Sequence, residues 1–449
     1  ASCVSRAGFL RFMSAVVRLL CIVLFLVYAN DMGSGYAAEM RFFPVAKVCD
    51  ILLPDLPIKI RTIDLIFLVA VVVGASKRDK KRPLVRPMRN ALFLGIGTTV
   101  LWLLYGIVRG GDPSAGSWQI YLILSTSAVT FAIANVFRSA ADFVTLAKWL
   151  LAAALYHATM CWYSYFTWGR NFVGGSGIFL TTHDDTIVWV GSILMLVVNA
   201  VDRRSTAVTL RNGFLALFLV GAIQWNSRRI AWISLALALV VLYALFPQGA
   251  AKKRVRRAVQ VVVPVLALYV AVGWGRQNRI FLPLRSISNV SNDEDSSTLA
   301  RNAENLGLIA TANSVQPALG TGWGHPYIAL TTKYDISGFK LWRYMPHNSI
   351  LMVLAFTGVL GFMGLWMSVP TSVFLNARTA RFGNDAKAKS VAIVGAAQVV
   401  VCGVQLYGDM GIFSAQTMYA LAICQAIALR LPPLAGAWGG KPNVAPKTS

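Results

Sequence analysis

The sequence predicts an all-α, polytopic membrane protein of about twelve spanning helices, with one long loop between spans nine and ten. Three observations carry that prediction. Of 449 residues, 56% are hydrophobic and only 13% are charged, where soluble domains carry about a quarter charged. Apolar runs approaching the roughly 20 residues that cross a bilayer recur along the whole chain. Lys and Arg collect in every second connection, as they do on the cytoplasmic side of membrane proteins.

The runs fall, in order, at 12–30, 62–76, 90–108, 118–137, 141–162, 187–201, 207–224, 230–247, 256–274, 348–369, 389–408 and 411–429. The first is interrupted by Arg18 and reads as a retained span rather than a cleaved leader. The second and sixth are short enough to extend into their flanking loops. Basic connections are "KRDKKRPLVRPMR" (77–89), "DRR" (202–204), "KKRVRR" (252–257) and "RTARFGNDAKAK" (378–389). If spans alternate, these four share one side, and both termini join them there. The other side receives "RGGDPSAG" (109–116), the His183-Asp184-Asp185 loop, the 226–229 turn and the segment 275–347. The chain therefore reads as a single helical domain over 1–449, with the loop 275–346 and its short helices inserted. The tail "GGKPNVAPKTS" is expected to be disordered.

The net charge, 42 basic minus 18 acidic or +24, would point to nucleic acid in a soluble protein. Here the positive-inside bias accounts for it, so nucleic acid is not an expected partner and membrane lipids are. Six scattered cysteines, with no CxxC or Cys/His spacing, indicate neither a disulfide framework nor a zinc site. One feature resists the charge rule. The outer side carries Arg228, Arg229, Arg276, Arg279, Arg285 and Arg301.

These arginines define the first candidate site. In "WNSRRIAW" (225–232) Asn226 or Ser227 can cap a helix running inward from the outer face. Arg228 and Arg229 then stand at the positive end of its dipole, which disfavours cations. Snorkelling to lipid headgroups is the bland explanation. A bound phosphate would use the end amides, the dipole and the guanidinium forks together.

The second candidate opens span ten in "RYMPHNSILMVLAFTGVLG" (343–361). His347, Leu351, Leu354, Gly358 and Gly361 share one helix face, and the glycines allow close approach by another helix. A helix N-terminus favours a neutral imidazole, the form a general base requires; an interfacial hydrogen-bonded histidine is the competing reading. Arg301 lies on an amphipathic loop stretch, where Glu304 at i+3 offers an ion pair. "GTGWGHPY" (320–327) lacks the lysine and strand context of a phosphate loop. Its His325 reads as loop-structural, and Trp323 could stack on a sugar or lie at the interface. "THDD" (182–185) has too few ligands for a metal and reads as a solvated loop. His157, inside span five, reads as a helix–helix hydrogen bond.

Taken together, the motifs resemble the O-antigen ligase and polymerase superfamily. The resemblance rests on "SRRIAW", on Arg301 followed by "QPALGTGWG", and on His347-Asn348-Ser349 followed by Gly358 and Gly361. It covers about 225–365 in order, together with the twelve-span layout. The chain departs from the pattern in having two adjacent arginines where one is needed; Arg229 keeps the spacing to Ala231-Trp232, and Arg228 keeps the contact with Ser227.

The resemblance implies a GT-C-like inverting glycosyltransferase in a bacterial inner membrane. It would move a glycan from undecaprenyl diphosphate to lipid A-core at the periplasmic face, without metal or cofactor. It implies that His347 activates the acceptor hydroxyl and that Arg228 or Arg229, with Arg301, holds the diphosphate. Asn348 and Trp323 join the expected substrate contacts, and Arg276 and Arg279 join them on the charge anomaly alone. A polymerase of the same superfamily is the alternative; its members tend to carry two sizeable outer loops, and only one is found here. An anion or glycolipid transporter would also want outer arginines. It should show related halves and helix-breaking residues at mid-membrane, and neither stands out.

Overall fold

The computed structural model describes residues 6–30, 45, 48, 61–76, 83–169, 180–203, 205–276, 278–281, 284, 296–330 and 341–439. The architecture is helical: α1 (Arg6–Asn30), α2 (Thr62–Ser76), α3 (Arg86–Val108), α4 (Pro113–Val136), α5 (Ala140–Ser164), α6 (Asp185–Asp202) and α7 (Thr206–Asn226). Then come α8 (Arg229–Leu245), α9 (Ala250–Gly273), α10 (Ser296–Asn313), α11 (Ser349–Trp366), α12 (Ser368–Phe382), α13 (Ala386–Gly408) and α14 (Ala415–Leu434). Ten helices among the described residues are long and apolar enough to cross a membrane, α11 and α12 counting as one piece. Two shorter apolar helices, α2 and α8, occupy the positions expected for spans two and eight. The protein is therefore a multi-pass membrane protein.

Local signals start the helices where the sequence supplies them. Asp112 accepts from the Ser114 amide at 2.8 Å ahead of Pro113, and Ser139 and Asp142 form a capping box at α5. Asp385, Asn348 and Ser414 cap α13, α11 and α14 with their side chains. Helix α14 is the hub: 83% of its apolar window is buried, against 6% for α9 at the periphery. Around it pack α4, α12 and α13. Lipid tails are as apolar as leucine, so close packing and interhelical hydrogen bonds hold such a bundle. Thr130 donates to Gln425 at 3.2 Å, Gln425 to Ser368 at 3.0 Å, and Asn376 to the Cys424 carbonyl at 3.2 Å.

Two expectations for span ten need correction. Its helix continues beyond 369, through α12 to Phe382, because Ser372, Asn376 and Thr379 are buried against α13 and α14 rather than solvated in a loop. Of its two glycines, Gly361 faces another helix as expected, with Trp102 of α3 against it, but Gly358 does not. Gly358 sits at φ 60°, ψ −172°, and breaks α11. The segment 316–324 inserts its backbone into the break. Thr321 and Gly322 donate to the Ala355 and Phe356 carbonyls at 3.3 and 2.7 Å. Val359 and Leu360 donate to Pro317 and Ala318 at 2.9 and 3.1 Å. Non-helical backbone survives at membrane depth only where protein satisfies it in this way.

Gly358 is required twice over, by its left-handed φ and because a Cβ there would lie 2.4 Å from the Ala318 backbone. Gly358→Ala is expected to cost more than about 2 kcal/mol, seen as a lower melting temperature in detergent. Gly403→Ala, where a Cβ would meet nothing within 4 Å, is the matched control. Equal melting temperatures for the two variants would show that the loop does not depend on Gly358.

Candidate functional site

The connections assigned by charge to the outer side gather at one end of the bundle. Asp112 donates its amide to Gly324 at 2.8 Å, and Gln119 reaches both Gly324 and the Tyr344 carbonyl, at 2.7 and 2.9 Å. Ser349 receives the Ile412 amide at 3.1 Å, tying the start of α11 to the turn between α13 and α14.

His347 lies one residue before the Asn348 cap of α11, whose side chain accepts from Leu351 at 3.1 Å and donates to Asn305 at 3.0 Å. The His347 ring docks on the same loop helix, α10: its Nδ1 is 2.8 Å from Oε2 of Glu304. Glu304 is buried while His347 is 35% exposed. A carboxylate can only accept, so Nδ1 carries the hydrogen and the Nε2 lone pair is left for chemistry. The expected ion pair of Arg301 with Glu304 is replaced by this contact.

The arginine pair is placed differently from the expected cap. Asn226 is the last residue of α7 and is buried; its amide accepts from Leu180 and Thr181 at 3.1 and 2.9 Å and donates to Thr182 at 3.2 Å. With Asn226 so used and Ser227 in the left-handed region at φ 55° as the C-cap of α7, α8 starts from Arg228 at the cap position. Arg228 is buried and Arg229 half-buried. Burial pulls the Arg228 guanidinium down to about 9; Asp409 opposes this, Arg301 adds to it, and Asp184 and Asp185 hold it up. The group stays charged at neutral pH, within electrostatic reach of a second guanidinium. That arrangement favours an anion.

His183 and Asp409 complete the cluster. His183 Nδ1 contacts Oδ2 of the buried Asp409, which ends α13. Burial lowers the His183 imidazole, Asp409 raises it, and Arg228 and Arg301 lower it further. Burial alone would raise Asp409; His183, Arg301 and His347 overcome that and hold it below the usual carboxylate range. His347, Arg301, Arg228, His183 and Asp409 thus lie within one electrostatic neighbourhood although they come from four connections of the chain.

Other expected site residues fall elsewhere. Trp323 is fully buried with Phe356 edge-on at 5.9 Å, so it offers no face to a sugar. Arg276 is exposed at the end of the peripheral α9. The Arg279 side chain and Arg285 lie outside the described residues. "THDD" is not a solvated loop: Asp185 is wholly buried, with His157 Nδ1 at 2.6 Å, which also supplies the helix–helix contact expected of His157. His325 Nε2 lies 3.2 Å from the Gly106 carbonyl, a structural contact as expected. Sequence reasoning missed Glu304 as the histidine's partner and Asp409 altogether, and read His183 only as part of a solvated loop. Asp409, an acidic residue between two apolar runs in "YGDMG", was the available signal.

No family model matches the chain, and no curated protein does either. Chemically, the cluster can accept one proton at a fixed imidazole nitrogen and hold a phosphate-type anion beside it. Among the described residues, no group of three or more His, Cys, Asp or Glu side chains is arranged to hold a metal ion.

Proposed function

We propose that the chain is a GT-C-like glycosyltransferase of the O-antigen ligase kind, moving a glycan from undecaprenyl diphosphate to lipid A-core at the periplasmic face of the inner membrane, with both termini cytoplasmic. The observation that carries the reading is the His347–Glu304 pair, with His347, Arg301 and Arg228 each in electrostatic contact with Asp409. His347 Nε2 takes the proton of the acceptor hydroxyl as its oxygen attacks the anomeric carbon. Glu304 accepts from Nδ1 and stabilises the imidazolium, as a carboxylate behind a histidine base does. Diphosphate leaves from the opposite face, with inversion, and the arginines neutralise it.

The test is a lipopolysaccharide gel from a deletion strain. Lipid-linked polymer accumulating beside bare core supports a ligase. Core bearing a single repeat identifies a polymerase of the same superfamily. Unchanged glycan with altered uptake identifies a transporter, which the break at Gly358 would favour, since discontinuous helices mark transporter sites. Against that reading, the amides and carbonyls freed by the break are taken by 317–322 and are not open to an ion.

Transfer is expected to proceed in EDTA. Glu304, Asp409 and Asp185 each already hold a histidine nitrogen, and guanidinium groups can take over the charge neutralisation a metal would supply. Activity lost in EDTA and restored by magnesium or manganese would move attention to Asp184 and Asp185.

A further inference from the structure

Two neighbouring residues ahead of α11 are held by two neighbouring residues of α10. His347 Nδ1 lies 2.8 Å from Glu304, and Asn348 Nδ2 donates to Asn305 Oδ1 at 3.0 Å. The hydrogen bonds fix which way both amides face. Asn348 Oδ1 accepts from the Leu351 amide at 3.1 Å as the cap of α11, so Nδ2 is left as its donor. The Asn305 atom that receives this donor is then the oxygen, and Nδ2 with its two hydrogens is the fork turned away from the clasp. Asn348 is 4% exposed, with its oxygen and an amide hydrogen spent on these bonds. Asn305 is half-buried, and among the described residues none accepts from its Nδ2.

We propose that Asn305 is a specificity residue for the acceptor: its Nδ2 donates to a hydroxyl oxygen of the accepting sugar, next to the hydroxyl that His347 deprotonates. This rests on the reading of His347 as the base of a glycosyltransferase. The order of groups along α10 selects the acceptor over the donor. Arg301, Glu304 and Asn305 stand at i, i+3 and i+4 and share a helix face. At a rise of about 1.5 Å per residue, Glu304 lies about 4.5 Å and Asn305 about 6 Å along the axis from Arg301. The diphosphate belongs at the Arg301 end and the base is held at Glu304, so Asn305 lies past the base. An inverting displacement brings the nucleophile from the side opposite the leaving group. The group past the base therefore meets the acceptor.

The two presented atoms are complementary. His347 Nε2 offers a lone pair and takes the proton of the attacking hydroxyl, while Asn305 offers a hydrogen to the oxygen of its neighbour. A sugar with hydroxyls on adjacent ring carbons satisfies both at once. An acceptor without the second hydroxyl leaves a half-buried N–H unpaired, which is how a site built to hydrogen-bond a substrate rejects an analogue. In the step itself the proton passes from the hydroxyl to Nε2. The new bond forms from that oxygen to the anomeric carbon as the bond from that carbon to the diphosphate breaks, and Asn305 exchanges no proton.

The experiment uses the full chain in detergent, a short-chain prenyl diphosphate glycoside as donor and lipid A-core as acceptor. Acceptor analogues with one hydroxyl of the accepting sugar replaced by hydrogen are run beside it. Asn305→Asp keeps an oxygen for the Asn348 clasp and presents an acceptor where the donor stood. Asn348→Asp keeps the cap of α11, but its oxygens turn the Asn305 amide round, so that Nδ2 enters the clasp and the oxygen faces the sugar. Both variants should raise the acceptor KM about three- to tenfold, the usual range for one neutral hydrogen bond. Changes in kcat and donor KM should be smaller, and the melting temperature that of wild type. One deoxy acceptor should show the same rise with wild type and no further rise with either variant. A wild-type acceptor KM in either variant would leave Asn305 a clasp only and overturn the proposal, as would losses that add with every deoxy acceptor. A wild-type chain that moves no glycan to lipid A-core overturns the transferase reading and the proposal with it, a result distinct from an active transferase indifferent to Asn305.

Discussion

His347→Gln is expected to insert, fold and bind donor lipid, yet transfer glycan about 10²–10⁴-fold more slowly, the usual loss when general-base help is removed. Glutamine keeps a polar group of similar reach at the start of α11 but has no basic nitrogen. His347→Ala should fail equally, and it removes only a partly exposed ring, so the bundle has little to lose. Glu304→Gln separates orientation from basicity. Its amide oxygen can still accept from Nδ1, so the ring stays in place, but the charge that stabilises the imidazolium is gone. Its transfer should fall between wild type and His347→Gln, with unchanged melting temperature. Transfer at wild-type rate by His347→Gln would reduce the residue to a positioning role. Transfer at wild-type rate by Glu304→Gln would make that carboxylate a purely structural partner.

Arg228→Ala and Arg301→Ala should each weaken donor binding by about 1.5–3 kcal/mol, roughly ten- to 150-fold, the typical worth of a hydrogen bond to a charged group. Lysine should rescue poorly, since a point charge replaces a bidentate fork. The structure also ranks the adjacent pair. Arg228 is buried and coupled to Asp409 and Arg301, whereas Arg229 is half-buried on the first turn. Arg229→Ala is therefore expected to lose less than Arg228→Ala in a titration with the diphosphate glycoside. The reverse order would mean that the helix start presents its second arginine to the anion. Removing a buried cation leaves Asp409 less compensated, so folding is checked alongside by the melting temperature in detergent.

The apolar runs by themselves determined the fold class, and alternating loop charge assigned 109–116, 183–185, 226–229 and 275–347 to one side. Hydropathy and loop charge are local sums over neighbouring residues, and a bilayer converts them directly into spans. His347 and the 228–229 pair were legible as ionisable groups at the ends of apolar helices, and Arg301 as a cation on the outer loop stretch. The tertiary structure alone decided their partners. Glu304 lies 43 residues from His347 in sequence and 2.8 Å from it in space, and His183 meets Asp409 across eight helices of chain, α6 to α13. The break at Gly358 belongs to the same class, because its glycine reads as a packing residue until the 316–324 backbone is seen inside it. Such contacts are set by which helices pack side by side around α14, and helix packing leaves no periodic trace in the sequence of either partner.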